Sequence, residues 1–239
     1  MNLDGKRVVV LGGTSGIGLA VARKAAGEGA SIVIASSSQA KVDRALQQLS
    51  GSIAGLTIDL TQEDSIRSFF AELGAFDHLV YTAGEPLLSE PLETFSLERA
   101  QSFFGVRFWG AFLAVKHGAP LIRKGGSIVL SSGMASRRSR KGWSIISSVC
   151  GATEAMTRAL AVELAPLRVN LVCPGLVKTE LWDSMSTEAR EAMYQRAEQN
   201  LLVGRPGEAD DLAEAYLYLM KNGFSTGQVV VVDGGASVI

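Results

Sequence analysis

The sequence predicts an α/β fold: one domain, residues 1–239, built on a doubly wound parallel sheet of about seven strands with helices on both faces. Three features predict it. Short runs rich in valine, isoleucine and leucine are apolar throughout and do not alternate, as strands covered on both faces are. Helical stretches separate consecutive runs, which parallel pairing through right-handed crossovers requires. A glycine-rich turn joins the first run to the first helix.

Residues 6–11 form the first strand, and the turn Gly12-Gly13-Thr14-Ser15-Gly16-Ile17-Gly18 opens a helix that lasts to Gly29. The second strand, 31–35, leads through Ser36-Ser37-Ser38 into an amphipathic helix over 40–49, and the third strand spans 54–58. In Thr61-Gln62-Glu63-Asp64 the threonine hydroxyl is placed to cap the next helix by accepting from its exposed amides, with an acidic first turn behind it. The fourth and fifth strands are 78–82 and 127–131, joined by a long apolar helix over 97–122. A second long helix, 144–165, precedes the sixth strand, 168–173, and the last helix, 208–221, precedes the seventh, 228–232. Residues 176–204 break this alternation over a long stretch, which marks a mobile lid over the site and not a second domain.

Composition excludes several function classes. Hydrophobic residues are 47% of the chain and charged residues 20%, too apolar for a disordered segment. Lys plus Arg total 23 against 24 for Asp plus Glu, so no net field favours nucleic acid or an acidic membrane surface. Two cysteines, Cys150 and Cys173, build no disulfide framework and no CxxC motif. His78 and His117 stand apart from any cluster of acids or thiols, so no metal site is expected. The polar start of the chain argues against a signal peptide, and no apolar run reaches the roughly 18 residues of a membrane span. The expected compartment is the cytoplasm.

Glycines at 12, 16 and 18 sit between a strand and a helix inside a βαβ unit. Glycine is needed there because a side chain would keep the backbone away from a pyrophosphate, which the helix amides and dipole then hold. The spacing is G-x-x-x-G-x-G, and with it the chain resembles the short-chain dehydrogenase/reductase family over nearly its whole length. Gly12, Thr14, Ser15, Gly16, Ile17 and Gly18 look like the family's cofactor loop, and Asp59-Leu60 like its adenine contact. Tyr81-Thr82-Ala83-Gly84 is similar to its N-N-A-G motif with both asparagines replaced. Pro174-Gly175-Leu176-Val177-Lys178-Thr179 resembles its nicotinamide-binding segment, and Val232-Asp233-Gly234-Gly235 its C-terminal signature. The resemblance implies a Rossmann fold, a nicotinamide dinucleotide cofactor and a small-molecule substrate. Cofactor contacts are expected from the loop, Asp59, Leu60, Ala83, Gly84, Pro174, Gly175, Val177 and Thr179.

The end of the second strand bears on which dinucleotide fits. An NAD-selective site places an acid there to hold the ribose 2′-hydroxyl. This chain has Ser36, Ser37 and Ser38, which donate to a 2′-phosphate where a carboxylate would repel it. NADP(H) is therefore expected over NAD(H), the plainer alternative being a polar turn.

The family's catalytic centre is largely replaced. The resemblance places there a Tyr that exchanges the hydroxyl proton and, four residues on, a Lys that holds the nicotinamide ribose and lowers a phenol pKa of about 10. A Ser upstream fixes the substrate oxygen, and an Asn on the preceding helix completes a proton relay. Aligning Thr157-Arg158 puts Ile146 at the Tyr position and Cys150 at the Lys position, while Val106-Arg107-Phe108-Trp109-Gly110 puts Arg107 at the Asn position. Ser132 remains. Arg107 and Ser132 are the candidate catalytic residues, since a guanidinium stabilises an oxyanion although it is a poor proton donor. Cys150 reads as a small residue filling the gap left by lysine, and Tyr81 as packing. Losing general acid–base catalysis typically costs about 10²–10⁴ in rate, so ordinary carbonyl reduction is expected to be slow.

Arg137-Arg138-Ser139-Arg140-Lys141 borders the expected pocket and reads either as a solvated face or as a recognition patch for an anionic substrate. Phe103, Phe104, Phe108, Trp109 and Phe112 wrap more of their helix than one core face needs, and in the resembled family this helix pairs across subunits. A homodimer or homotetramer is expected, against a thick monomer core. Three functions compete: an NADP(H)-dependent oxidoreductase with a degenerate active site, a dinucleotide sensor or structural subunit, and a lyase or isomerase reusing the pocket.

Overall fold

The structure is a computed structural model that describes residues 2–87 and 89–239. Its main sheet has seven parallel strands: β1 (Arg7–Leu11), β2 (Ser31–Ser36), β3 (Ile53–Thr57), β4 (Phe76–Tyr81), β5 (Ile122–Ser131), β6 (Arg168–Pro174) and β9 (Val229–Val232), ordered β3-β2-β1-β4-β5-β6-β9. Between them run α1 (Gly16–Gly27), α2 (Gln39–Leu46), α3 (Glu63–Leu73), α4 (Leu97–Phe104), α5 (Ala111–Gly118), α6 (Ser144–Glu163), α7 (Thr187–Asn200) and α8 (Ala209–Lys221). A two-stranded pair, β7 (Val177–Lys178) with β8 (Gly207–Glu208), lies apart from the main sheet.

The absence of polar alternation in the strands has a direct structural cause. In β1, Val8 and Val10 enter one core with α1 and α8, while Val9 and Leu11 enter the other with α3, α5 and α6. In β2, Ile32 and Ile34 divide from Val33 and Ala35 in the same way. Strand order reverses between β1 and β4, and at that switch the carboxyl ends of the strands open a crevice in which this fold class binds its ligands.

Several expected elements differ in detail. Thr61 does not cap α3: its amide and hydroxyl both donate to Asp59 Oδ1, at 2.9 and 2.6 Å, and Gln62 takes the cap position without a side-chain bond. The acidic first turn, Glu63 and Asp64, is present. The helix expected over 97–122 is interrupted. Gly105–Gly110 widens into a π-helical turn between α4 and α5, and the helix ends at Gly118 before Pro120. Side chains stitch that turn from outside, because the Val106 amide donates to Glu85 Oε1 and its carbonyl accepts from the Tyr81 hydroxyl. Ile122 already belongs to β5, and β3 begins one residue earlier than expected.

Residues 176–204 carry structure of their own. They hold β7, a 3₁₀ turn at Glu180–Trp182 and α7, whose Ser186 cap accepts from the Ala189 amide at 3.2 Å. Among the residues of α7 only Ala197 is buried, so the helix shows no apolar stripe from which to read it.

Candidate active site

The phosphate loop is built by close packing. Gly12 has φ +85°, and a Cβ there would stand 2.6 Å from the Ala83 amide nitrogen; at Gly18 it would stand 2.2 Å from the Gly12 carbonyl oxygen. The start of α1 is thereby pressed onto the ends of β1 and β4, and Thr82 Oγ1 donates to the Leu11 and Gly12 carbonyls across the join. Ser15 caps α1 with no side-chain bond, and no acid lies in the first turn. The first-turn amides carry the positive dipole end with no acid of α1 itself against them, a cradle that fits a pyrophosphate, and the Glu180 carboxylate comes in beside Gly16 from the segment after β7.

Other expected cofactor contacts ring this cradle. The Thr179 methyl lies against Gly16, Val177 is buried, and the Gly175 amide donates to the Val232 carbonyl at 2.9 Å with its Cα pressed on Asp233. Asp59 is exposed at the rim, and the two bonds from Thr61 hold its carboxyl below the usual carboxylate range. Leu60 differs from it: the side chain is buried in the core. Ser36 and Ser37 stand at the end of β2, whereas the Ser38 hydroxyl is committed as cap of α2, accepting from the Lys41 amide at 3.4 Å.

At the catalytic corner, Ile146 and Cys150 face a small apolar cluster with Phe103, Ala135 and Val149. Burial pushes the Cys150 thiol up to about 11 against the opposing pull of the Arg107 cation, so at neutral pH it is a thiol and not a nucleophile. Tyr81 is 2% exposed, and burial drives its phenol far above the ordinary range; it packs and takes no part in proton exchange.

Arg107 is placed by the π-helical turn. Its guanidinium packs on the Gly84 backbone, donates to the Glu85 carbonyl, and has Nε 3.6 Å from Glu85 Oε2, within ion-pair reach but too long for a hydrogen bond. It also lies 5.1 Å from the centre of the Phe103 ring. Its charge reaches Cys150.

Ser132 follows β5, anchored by its amide to the Val172 carbonyl at 3.0 Å. Beside it is a carboxylate the sequence reading passed over. Glu154 is 8% exposed, and its Oε1 accepts from Ser136 Oγ at 2.6 Å and Ser132 Oγ at 3.5 Å. The signal was present as the spacing 146, 150, 154, one face of a helix. Arg137 binds Glu154 Oε2 at 3.3 Å, Arg138 donates to the Ala236 and Ile239 carbonyls, and Arg140 lies over Trp143. Three cations of the basic stretch therefore have partners within the chain. Among the described residues no group of acids, thiols and imidazoles could hold a metal ion, and no helix is long and apolar enough to cross a membrane.

The chain is similar to known proteins over nearly its whole length. Residues 12–237 match the family model described as enoyl-(acyl carrier protein) reductase. The chain is 36% identical to short-chain dehydrogenase/reductase ATR9 of Stachybotrys chlorohalonatus, over 98% of each chain. It is similar to a solved small-chain dehydrogenase in complex with NADPH, at TM-score 0.84 and 39% identity over 99% of this chain and 100% of that one. It is also similar to the MalC reductase/Diels-Alderase of Malbranchea aurantiaca, at TM-score 0.91 and 32% identity, covering 97% of this chain and 96% of the other.

Proposed function

The chain belongs to the short-chain dehydrogenase/reductase family of nicotinamide-dependent oxidoreductases, and from that premise we propose that it is an NADP(H)-dependent enzyme acting on a small carbonyl or alcohol through a degenerate active site. The observation that carries the proposal is the glycine cradle at the start of α1. Gly12, Thr14, Ser15, Gly16, Ile17 and Gly18 would hold the pyrophosphate, Asp59 and the Leu60 backbone the adenine, and Ala83, Gly84, Pro174, Gly175, Val177 and Thr179 the nicotinamide half. When bound, the dinucleotide supplies or accepts the hydride. Ser132 donates a hydrogen bond to the substrate oxygen, and Arg107 brings the positive charge that the family lysine otherwise supplies. Ile146, Val149, Phe103 and Ala135 form an apolar wall that keeps water from the reacting carbon.

Ser36 and Ser37 support NADP(H), as does the NADPH carried by one solved relative. Calorimetric titration tests this choice: NADPH is expected to bind at least about tenfold more tightly than NADH, about 1.4 kcal/mol. Equal affinities, or a preference for NADH, would remove the serine argument.

Residues 176–204 serve as a lid, supported by the cavity of about 400 Å³ left between them and α1, lined by Gly16, Arg23, Thr179, Arg190 and Tyr194. An anionic substrate would draw on the exposed Arg140 and Lys141 of the loop after β5. The two free, buried cysteines support a cytoplasmic setting. A second reading, a lyase or isomerase reaction in the same pocket or a dinucleotide-sensing or structural subunit, draws on the apolar wall where a proton donor would stand. One solved relative is named both reductase and Diels-Alderase.

The assembly is a homodimer or homotetramer. Phe103 serves the core, but Trp109 is 55% and Phe112 39% exposed, and they continue an edge-to-face series from Phe104 through Phe108. Trp109→Glu with Phe112→Glu should shift the protein to monomer in size-exclusion with light scattering. A wild-type monomer, or an unchanged oligomer in the variant, would show that the aromatics serve no interface.

A further inference from the structure

We propose that Glu154 is the proton-exchanging group of this site and acts through the hydroxyl of Ser132, a reading that rests on hydride transfer being the reaction. The site needs such a group. Ile146 has no ionisable atom, Tyr81 is sealed in the core against the Val106 carbonyl, and Arg107 does not give up its proton at ordinary pH. Glu154 is a carboxylate carried into a nearly closed corner one helical turn beyond Cys150. Four elements face it: Ser132, Ser136 and Arg137 from the loop after β5, Cys150 from its own helix, Cys173 from β6, and, through Cys150, Arg107 from the π-helical turn. Burial raises both thiols from their ordinary values, so they stay protonated and do not compete for the role.

The geometry gives a path of two transfers, the 3.5 Å contact between Ser132 Oγ and Glu154 Oε1 closing to hydrogen-bond length when substrate is bound. In alcohol oxidation the substrate O–H bond breaks and its proton passes to Ser132 Oγ as the Ser132 proton passes to Glu154 Oε1. The substrate C–H bond breaks with its electron pair, and the hydride goes to the oxidised nicotinamide dinucleotide. The products are the carbonyl compound, the reduced dinucleotide and a neutral Glu154, which returns its proton to solvent past the exposed edge of Arg137. Carbonyl reduction runs the same steps backwards. Ser136 keeps one hydrogen bond on Oε1 throughout, so the carboxyl does not rotate away when Ser132 turns to the substrate. Glu154 is a positioning and relay residue: it touches Ser132 and not the substrate.

The test uses the full chain with NADP⁺ and two probe alcohols, cyclohexanol and benzyl alcohol, in single turnover. Glu154→Gln keeps the size and the bond to Ser136 and removes the charge. It should bind NADPH as wild type does, oxidise alcohol about 10²-fold more slowly and lose the acidic limb of the pH–rate profile. Glu154→Asp should recover part of the rate, and Glu154→Gln with Ser132→Ala should be no slower than either single variant, because the two act as one unit. A readout independent of turnover is carbon-13 NMR of glutamate-labelled protein without cofactor. The Glu154 carboxyl signal, assigned by its loss in Glu154→Gln, should move in Ser132→Ala. A Glu154→Gln protein with wild-type rate and profile would overturn the proposal, as would a carboxyl signal unmoved by Ser132→Ala. If wild type binds NADP(H) but oxidises neither alcohol, the hydride-transfer reading fails and the relay built on it falls with it, whereas a Glu154→Gln protein as fast as an active wild type overturns the relay alone.

Discussion

Gly18→Ala is expected to lose NADPH affinity by about 10²-fold or more, about 2.7 kcal/mol, while the chain keeps its fold. The added methyl would have to occupy space 2.2 Å from the Gly12 carbonyl oxygen and 2.5 Å from Thr82 Oγ1, so the first turn of α1 must back away from β1 and β4. The amides that face the pyrophosphate move with it. Gly27→Ala is the matched control, since nothing lies within 4 Å of that position and alanine suits a helix better by up to about 1 kcal/mol. Calorimetric titration of both variants, with circular dichroism to confirm the fold, decides the matter. Comparable affinity in the two would mean that the glycine turn is a packing device and no cofactor cradle.

The second large effect is a gain. Ile146→Tyr with Cys150→Lys and Arg107→Asn should raise carbonyl reduction by about 10²-fold over wild type, restoring the acid, the cation and the relay of a complete family site. The third change is required by the structure. The Arg107 charge already reaches position 150, so a lysine installed there meets a like charge in a buried corner. Ile146→Tyr with Cys150→Lys alone should therefore gain less than the triple variant. Tyrosine at 146 also enlarges a packed cluster, at a stability cost of about 1–3 kcal/mol that a thermal melt will register. A double variant as fast as the triple would show that Arg107 and the introduced lysine do not compete. A triple variant no faster than wild type would show that α6 does not hold the family geometry.

The fold was legible because its signals are local and redundant. The central strands β1 and β2 are apolar on both faces, and the turn from Gly12 to Gly18 marks a βα junction. What the sequence concealed depends on contacts between distant residues. The π-helical turn at Gly105–Gly110 is held by Glu85 and Tyr81, about twenty residues earlier, so no helical period announces it. Thr61 looked like a cap, yet Asp59 two residues back competes for its hydroxyl and wins with a charged acceptor. The polar helix α7 has no stripe to read. Within the site, the spacing put Ile146 and Cys150 where a tyrosine and a lysine were expected, and both side chains face the apolar cluster with Phe103. The spacing 146, 150, 154 put Glu154 on the same helix face, but its partners Ser132, Ser136 and Arg137 reach it only when the loop after β5 folds back over α6.

The central claim is that the chain has kept the dinucleotide cradle and given up the family's direct proton donor. NADPH oxidation by the wild-type protein, at saturating cofactor established by titration on the same sample, tests it with cyclohexanone, benzaldehyde and diacetyl as acceptors. The expected result is tight NADPH binding together with reduction about 10²-fold or more slower than that of the triple variant, a residual rate carried by Ser132, Arg107 and the relay through Glu154. Brisk reduction of these carbonyls by the unaltered protein would contradict it, as would failure to bind NADPH at all.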